Sequence, residues 1–444
     1  MPGPSSVYAA QLRSRLLDGS ALIGVIGLGY VGLPLSLTVA EHGYRVLGFD
    51  LDPEKIAALA AGRSYIRHLD PGRLAPLLES GRFAATGDFD RLAEPDVLLI
   101  CVPTPLTGQR EPDLSYVQST SEEIRDRLRP GQLVVLESTT YPGTTSLLIR
   151  PTLEASGLRC GIDFLLAYSP EREDPGNPRF ATSEIPKVVG GVGPESTELA
   201  ELFYRRAVGE AVRVSSAEVA EASKLTENIF RAVNIALVNE LKILYEKMGI
   251  DVWEVLDAAA TKPFGFMRFD PGPGWGGHCI PIDPFYLTWR AREFGATSHF
   301  IELAGEVNVQ MPAYVVQRLA EGLNQHQKAV RGSRILLLGL AYKRDVDDPR
   351  ESPAFEIIDR LLALGAEVRY HDPFIPVAPK MRSWSHLPPL RSVGLDKAEI
   401  GGADAVVVVT DHRAVDYDLV LAEAQLIVDT RGVYRQPHPK VIKA

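Results

Sequence analysis

The sequence is poor in cysteine, with Cys101, Cys160 and Cys279 alone among 444 residues. So sparse and odd a set excludes a disulfide framework and fits a reducing compartment. A zinc site at Cys279 would need further Cys or His ligands at the usual spacing, and none occurs, since His278 directly precedes the thiol. Cys279 is therefore predicted to be a free thiol.

Two further absences narrow the class of protein. The formal net charge is −10 and no block of basic residues occurs, so a nucleic-acid partner is not indicated. No run approaches the roughly 18 consecutive apolar residues that a membrane span needs, and the N-terminus lacks the apolar core of a signal peptide. We expect a soluble cytoplasmic protein with no membrane partner and no metal site.

The chain is longer than one hydrophobic core usually supports, so several domains are expected. Apolar runs alternate with amphipathic stretches in the N-terminal third and again after residue 330, as in parallel sheets flanked by helices. Between them, Ser215 and Glu218 form a capping-box pattern and no Gly or Pro interrupts before Gly249, which predicts one long helix. We predict an α/β fold with domains at 1–213, 214–312 and 313–444, the middle one helical. Strands are predicted at 22–26, 45–49, 97–102, 133–136, 164–167, 187–189, 334–338, 367–370, 405–409 and 426–428.

A glycine motif, Gly-Leu-Gly-Tyr-Val-Gly from 27 to 32, lies between the first predicted strand and a helix. Such glycines allow a tight turn, so that a pyrophosphate can sit on the helix N-terminus. Asp50 ends the second predicted strand, where a carboxylate accepts ribose hydroxyls and repels a 2′-phosphate, which favours NAD over NADP. The alternative is a merely structural turn. The predicted cofactor contacts are Gly27, Gly29, Tyr30, Val31, Gly32 and Asp50.

Hydroxyl side chains follow two later strands: Thr104 after the third, and Ser138 with Thr139 after the fourth. Ligands of open α/β sheets lie beyond the carboxyl ends of the strands, so these hydroxyls can contact the nicotinamide half or a reacting water. They can equally build turns and cap helices.

Lys224 and Asn228 lie four residues apart on the predicted long helix, with Glu221 one turn earlier. A lysine and an amide facing a cleft can hold an oxyanion or a reacting water. The alternative is a solvated helix face with a Glu221–Lys224 pair, which spacing alone favours.

Cys279 lies in a glycine-rich run from 274 to 284, with Asp283 four residues later. An open, backbone-rich loop with a lysine nearby would lower the pKa of a thiol, as a nucleophile requires. The alternative is a small buried hydrophobic residue. The loop composition favours a nucleophile that holds a carbonyl intermediate as a thioester.

In the second α/β part, Lys343 and Arg344 follow a strand and the residues Gly-Leu-Ala-Tyr. The three-glycine spacing is missing, so a second dinucleotide is not expected, but two basic residues suit a nucleotide diphosphate. The alternative is a charged loop with ion pairs to the aspartates that follow.

Seven motifs in order resemble the UDP-glucose/GDP-mannose dehydrogenase family, from about residue 20 to 435. The resemblance implies an N-terminal Rossmann NAD-binding domain, a central helical domain with one long helix and a C-terminal Rossmann-like UDP-binding domain. The motifs lie at 27–34, 101–106, 137–144, 169–172, 221–228, 276–284 and 339–343.

The reaction that the resemblance implies is a four-electron oxidation of the C6 hydroxyl of a UDP-sugar to a carboxylate, with two NAD consumed. The intermediates are a thiohemiacetal and a thioester on Cys279. In this pattern Lys224 stabilises oxyanions with help from Asn228, while Asp283 and Thr139 organise water or protons. The implied catalytic set is Cys279, Lys224, Asn228, Asp283, Thr139 and Glu171.

The resemblance also implies how the ligands are held. Glu171 lies at the sugar end, Lys343 meets the UDP phosphates, and Arg350 reaches toward the cofactor. Arg268 contacts phosphate from the same or a neighbouring subunit, and relatives of this type are commonly dimers built on the central helices. The implied substrate contacts are Glu171, Lys224, Asn228, Arg268, Gly276 and Lys343, and the further cofactor contacts are Thr104, Ser138, Thr139 and Arg350.

The run at 259–267 and the loop after it look most like the UDP-N-acetylglucosamine 6-dehydrogenases. Two departures from the animal UDP-glucose enzymes touch the sugar pocket: the role of Glu173 does not carry over, and His278 replaces a serine. Two other functions stay open, a two-electron hydroxy-acid dehydrogenase and a non-catalytic nucleotide-sugar sensor. Neither needs Cys279.

Overall fold

The computed structural model describes residues 7–66, 69–107, 111–172, 185–277, 280–381 and 383–444. Glu173, His278 and Cys279 lie outside the described residues. The chain divides into two compact units. The first comprises 1–227 and 289–295, and the second comprises 228–288 and 296–444.

The first unit is built on a mainly parallel sheet in the order β3-β2-β1-β4-β5-β6-β7-β8. Only the β6–β7 pair is antiparallel, and β8 runs parallel to β7. The strands are β1 (Leu22–Ile26), β2 (Arg45–Phe49), β3 (Phe83–Thr86), β4 (Val97–Ile100), β5 (Leu133–Leu136), β6 (Leu165–Tyr168), β7 (Lys187–Gly191) and β8 (Ala211–Arg213).

Helices cover both faces of this sheet. Alternate residues of β4 belong to different cores: Val97 and Leu99 join one apolar cluster, and Leu98 and Ile100 join another. This alternation explains why the strands read as unbroken apolar runs. The helices are α1 (Val7–Asp18), α2 (Gly32–Glu41), α3 (Pro53–Ala60), α4 (Leu74–Glu79), α5 (Ser115–Arg125), α6 (Arg150–Glu154) and α7 (Pro194–Val208), with shorter helical turns at Pro71–Arg73, Phe89–Ala93 and Thr145–Ile149.

The predicted long helix is α8 (Ala217–Lys247). Its first turn differs by one residue from the prediction, because the hydroxyl of Ser216, not that of Ser215, accepts the N–H of Val219 at 3.4 Å. The next helix is α9 (Val252–Ala259), and Asp251 caps it by accepting two backbone N–H groups.

The second unit carries a fully parallel sheet in the order β10-β9-β11-β12-β13. Its strands are β9 (Arg334–Leu338), β10 (Glu367–His371), β11 (Ala405–Val408), β12 (Ile427–Asp429) and β13 (Val441–Lys443). The remaining helices are α10 (Asp283–Glu293), α11 (His299–Gln325), α12 (Pro353–Ala363), α13 (Lys397–Gly402) and α14 (Tyr417–Glu423).

The predicted α/β architecture is confirmed, with each predicted strand present to within two residues. Three strands were missed: β3, β8 and β13. Each lies at or next to a sheet edge and has three or four residues, too few for a periodic apolar pattern.

The turn after β9 is held by a buried carboxylate of the same unit. Leu340 and Ala341 donate their N–H groups to Asp372 at 2.6 and 3.0 Å, and His412 contacts the same carboxylate at 3.1 Å. The Asp372 side chain is fully buried. The Asp372 carboxylate is therefore engaged in contacts within the protein itself.

None of the helices in the described part of the chain is both long enough and apolar enough to cross a membrane.

Candidate active site

The glycine turn after β1 leaves a space at one of its glycines. A Cβ at Gly27, where φ is 91°, would lie 2.6 Å from the Cys101 carbonyl oxygen, and a Cβ at Gly32 would lie 1.9 Å from the Gly27 carbonyl oxygen. At Gly29 a Cβ would meet nothing within 4 Å. The turn itself thus requires Gly27 and Gly32, whereas Gly29 leaves open space at the N-terminus of α2, where a pyrophosphate would fit. In the same turn Tyr30 is exposed and Val31 half-buried.

Asp50 lies directly after β2, at the same edge of the sheet. Its carboxylate accepts the N–H groups of Leu28 at 2.9 Å and Asp52 at 3.0 Å, and it pairs with Lys55 at 3.0 Å. A carboxylate offers about four acceptor positions, so one remains for a ribose hydroxyl. The turn and Asp50 therefore fit the adenosine diphosphate half of NAD.

The hydroxyl residues after β4 and β5 differ in their surroundings. Ser138 is buried and donates to the Val102 carbonyl at 2.7 Å, which ties the ends of the two strands together. Thr139 is half-buried, and its hydroxyl makes no hydrogen bond with any described residue. Thr104 is buried. All three lie at the predicted edge, but only Thr139 has a free hydroxyl in the described structure.

Glu171 follows β6 at this edge and contacts a lysine that the sequence analysis missed. Lys187, the first residue of β7, lies 3.2 Å from the Glu171 carboxylate and 2.5 Å from that of Glu137. No sequence motif marks this pair, because residues 137 and 187 come together only through the pairing of β5, β6 and β7.

The solvated helix face expected as the alternative for Glu221 and Lys224 is wrong, since both side chains are buried. The Glu221 carboxylate accepts the Gly143 N–H at 2.6 Å, the Thr145 N–H at 2.9 Å and the Thr145 hydroxyl at 2.7 Å. Burial raises the pKa of Glu221 to about 7, opposed by these hydrogen bonds. Glu221 thus binds the loop that follows Thr139 and does not pair with Lys224.

Lys224 is 6% exposed. Among the described residues, no hydrogen-bond or ion-pair partner is found for its ammonium. An unpaired charge on a largely buried residue is costly unless something neutralises it. The position therefore suits an anionic ligand or a charge that develops during a reaction.

In the second unit, two of the predicted site residues, Asn228 and Asp283, are in contact. The Asn228 amide donates to the Asp283 carboxylate, and both side chains are buried. The Asn228 oxygen accepts from Arg231, one turn further along α8. Arg231 was not among the predicted site residues, although its three-residue spacing from Asn228 was a usable signal.

The glycine-rich run before Cys279 packs on the loop after β9. A Cβ at Gly276 would lie 2.8 Å from Tyr342 Cβ, and one at Gly277 would lie 2.8 Å from the Tyr342 ring. The Gly277 N–H also donates to the Arg350 carbonyl at 3.1 Å. Gly276 and the half-buried Lys343, which follows Tyr342, therefore lie on adjoining segments.

The alternative expected for the loop after β9 was ion pairs of Lys343 and Arg344 with the aspartates that follow them, but Arg344 pairs with the distant Asp411. Within the loop, Arg350 binds Asp348 through three contacts of 2.6 to 3.0 Å. Arg268 likewise pairs with two carboxylates of its own chain, those of Asp257 and Asp270.

Two further cations were not anticipated, the buried Lys242 and the half-buried Arg431. Lys242 of α8 donates to the Gly272 carbonyl at 3.1 Å, and a Cβ at Gly272 would lie 2.6 Å from the Arg431 guanidinium. Burial, and then Arg431, lower the pKa of Lys242 to about 7. Neither cation forms an ion pair with any described residue. Gly272 is also held through its N–H by Asn239 at 2.9 Å.

In the described ranges, His, Cys, Asp and Glu side chains nowhere cluster in threes that could hold a metal ion.

Comparison with known proteins gives matches along most of the chain. Residues 21–208 match the NAD binding domain of the UDP-glucose/GDP-mannose dehydrogenase family. Residues 218–310 match its central domain, and residues 336–436 match its UDP binding domain.

Curated relatives carry more than one substrate name. The chain is 36% identical over 424 residues to the UDP-N-acetyl-D-mannosamine dehydrogenase of Pyrococcus horikoshii, covering 94% of this chain and 96% of the relative. It is 39% identical over 370 residues to the UDP-N-acetyl-D-glucosamine 6-dehydrogenase of Pseudomonas aeruginosa, covering 82% and 86%.

Among solved structures, the UDP-D-ManNAc dehydrogenase of Pyrococcus horikoshii superposes with a TM-score of 0.85 at 35% identity, covering 95% of this chain and 98% of the other.

Proposed function

Because the chain belongs to the UDP-glucose/GDP-mannose dehydrogenase family, a family of NAD-dependent nucleotide-sugar 6-dehydrogenases, we propose that it oxidises the C6 hydroxyl of UDP-N-acetylglucosamine to the uronic acid. The oxidation removes four electrons, and Cys279 carries the intermediate. The alternative substrate is UDP-glucose or another UDP-hexose or hexosamine.

The observation that carries the proposal is the state of Lys224. The residue is 6% exposed, and its ammonium has no partner among the described residues. In a low-dielectric site, a preformed positive charge stabilises an oxygen that becomes negative in the transition state. We assign Lys224 to the oxyanions formed at C6, with Asn228 beside it in the sequence of α8.

Asp283 and Thr139 are assigned to proton and water handling. Asp283 is held by the amide of Asn228, which orients a carboxylate that can accept a proton directly or through water. The Thr139 hydroxyl makes no hydrogen bond with a described residue, so it can serve substrate or water. Glu171 is assigned to the sugar end of the site.

Bound NAD would accept a hydride in each of the two oxidations. Between them, the Cys279 thiolate adds to the C6 aldehyde and gives a thiohemiacetal. After the second oxidation a thioester remains, and water cleaves its C–S bond to give the carboxylate and the free thiol. Lys224 stabilises the oxyanion at both additions.

The remaining contacts are assigned to ligand binding. The turn Gly27 to Gly32 with Asp50 would hold the adenosine diphosphate half of NAD, and Thr104, Ser138 and Arg350 its other parts. Gly276, Lys343 and Arg268 would contact the UDP-sugar. We propose domain boundaries near residues 213 and 312.

Stoichiometry tests the reaction. We expect two NADH per UDP-sugar from the intact protein and no acid product from Cys279→Ser. Release of a free aldehyde with a single NADH per substrate would contradict the four-electron scheme. A protein that binds UDP-sugar without making any NADH would favour the sensor function instead.

The sugar is tested by comparing kcat/KM for UDP-N-acetylglucosamine, UDP-N-acetylgalactosamine, UDP-N-acetylmannosamine, UDP-glucose and GDP-mannose. The residues at 259–267 support the N-acetylglucosamine branch, as does the 39% identity to a named UDP-N-acetyl-D-glucosamine 6-dehydrogenase. A preference for UDP-glucose would overturn the assignment to acetamido sugars.

We further propose that the protein is a homodimer built on α8. Phe230, Leu237 and Leu244 repeat at seven-residue spacing along this helix and are 47%, 50% and 43% exposed. Such a stripe fits a second copy packed along the same helix face. Sedimentation should show a dimer that Leu237→Glu converts to a monomer, while Leu147→Glu, at another exposed leucine (65%), leaves it intact. A wild-type monomer would contradict this proposal.

A further inference from the structure

A buried cluster of three charges lies at the edge of the first sheet. The Lys187 ammonium is 2.5 Å from Glu137 Oε2 and 3.2 Å from Glu171 Oε2, and it donates to the Pro170 carbonyl at 3.1 Å. The side chains of Lys187, Glu137 and Glu171 are 5%, 0% and 15% exposed. Glu171 is thus the member of the cluster that faces outward.

Strand pairing explains why these residues meet. In the antiparallel β6–β7 pair, Ala167 lies opposite Gly191 and Tyr168 opposite Gly190. Continued past β6, this register brings residue 171 opposite Lys187. In the parallel β5–β6 pair, Leu136 lies beside Tyr168, which sets Glu137 next to the same turn. The start of β7 therefore supplies a cation where β5 and β6 end.

The cluster holds one positive charge against two negative ones. An ammonium has three donors, and all three of those on Lys187 are used within the chain. The second oxygen of Glu137 accepts the Tyr204 hydroxyl. Lys187 therefore has no donor left for a ligand, and its effect on a reaction must pass through Glu171.

Burial alone would lower the pKa of Lys187, but Glu137 and Glu171 outweigh it and raise the pKa above its ordinary value. The lysine therefore stays charged across the working pH range. Burial raises the pKa of Glu137, against the pull of Lys187. The charge of Glu137 alone would neutralise Lys187, so the contact with Glu171 places a second carboxylate on the same cation.

We propose that Lys187 is a positioning residue that keeps Glu171 ionised and fixes the turn that presents it to the sugar. This inference rests on the proposed function, in which Glu171 serves the sugar end. The carboxylate acts on the substrate or its water, and the lysine acts only through the carboxylate.

Other charged or titratable groups lie around Glu171, and a pH experiment must distinguish their effects from that of Lys187. Glu137 approaches from the end of β5, and Cys101, after β4, lies in the same electrostatic neighbourhood. The Arg172 N–H donates to Glu171, while its guanidinium binds Glu227 of α8. Tyr204 of α7 acts through Glu137. Lys187 is thus the cation that contacts the Glu171 carboxylate most directly in the described structure.

The test is the acid limb of the kcat/KM profile against pH, measured with the preferred UDP-sugar. Removing a cation in contact raises a carboxyl pKa by about 1 unit or more, so Lys187→Met should move the limb to higher pH. Below the limb its kcat/KM should be about tenfold lower than that of the wild type. Glu137→Gln should move the limb to lower pH, because Lys187 then serves Glu171 alone.

The double variant Glu137→Gln with Lys187→Met separates an effect of Lys187 on protein stability from its effect on Glu171. It removes the buried pair as a unit, so the only charge of the cluster that remains is that of Glu171, whose side chain is the most exposed of the three. We expect its urea midpoint near that of the wild type and its acid limb still at higher pH. Lys187→Arg should restore the wild-type limb, and Glu171→Gln should lose it.

A control breaks an ion pair of the second unit that is unrelated to the cluster. Lys328 pairs with Asp404 at 2.6 Å, and Lys328→Met should leave the limb in place. Wild-type protein that oxidises no UDP-sugar would overturn the proposed function itself. Active wild-type protein, with folded variants whose limbs do not move in opposite directions, would overturn only the role of Lys187.

Discussion

Gly29→Ala should weaken NAD binding without weakening the fold. A Cβ at Gly29 meets nothing within 4 Å, and the residue does not have the left-handed φ that favours glycine. The added methyl therefore opposes only a ligand that approaches the backbone. Overpacking of this kind costs about 1 to 3 kcal/mol, which corresponds to roughly 5- to 150-fold weaker binding. The melting temperature should stay the same or rise slightly, because Ala restricts the unfolded chain.

Calorimetric titration with NADH and thermal melts measure the two effects separately. Gly394→Ala is the matched control, since it also adds a methyl into open space at an ordinary φ, and it should change neither. Gly32→Ala should lower the melting temperature, because its methyl would lie 1.9 Å from the Gly27 carbonyl oxygen. NADH affinity in Gly29→Ala within twofold of the wild type would refute the placement of the pyrophosphate at this turn.

Other predictions concern buried groups. Folding raises the pKa of Glu221 from 4.5 to about 7, so the native state binds an extra proton between these pH values. The free energy of unfolding should therefore fall as pH rises, by up to about 1.4 kcal/mol per pH unit. Urea unfolding of Glu221→Gln should lack this slope, and an identical slope would contradict the assignment. Folding lowers the pKa of Lys242 from 10.5 to about 7, so between these pH values the unfolded state binds the extra proton and the free energy of unfolding rises with pH. Lys242→Met should lose this rise. A rise that persists in the variant would assign it to another group. Gly276→Ala should lower the melting temperature through its contact with Tyr342 at 2.8 Å, and an unchanged melt would contradict that packing.

Local pattern was enough for most of the fold. Strands such as β4 are buried on both faces and read as unbroken apolar runs, and α8 continues as far as no Gly or Pro interrupts it. The Gly27 to Gly32 turn and Asp50 followed from spacing, because a tight turn before a helix needs glycine at fixed offsets. Short edge strands such as β8 carry too few residues to show any period.

Long-range contacts were beyond that reasoning. Spacing on α8 suggested a Glu221–Lys224 pair on a solvated face, but packing buries both side chains, and Glu221 binds the loop at Gly143 and Thr145. A helical period tells which residues share a face and not what covers that face.

Local periodicity and residue type were enough to predict the order of the domains, the glycine turn after β1 and a set of candidate site residues. Tertiary structure alone decided the electrostatic partners. Lys187 reaches Glu171 because β7 runs antiparallel to β6, and Asp283 meets Asn228 because α10 begins beside α8. The ionisation of a buried side chain depends on which charges and dipoles the fold brings within a few ångströms of it. Residues distant in the sequence supply these groups.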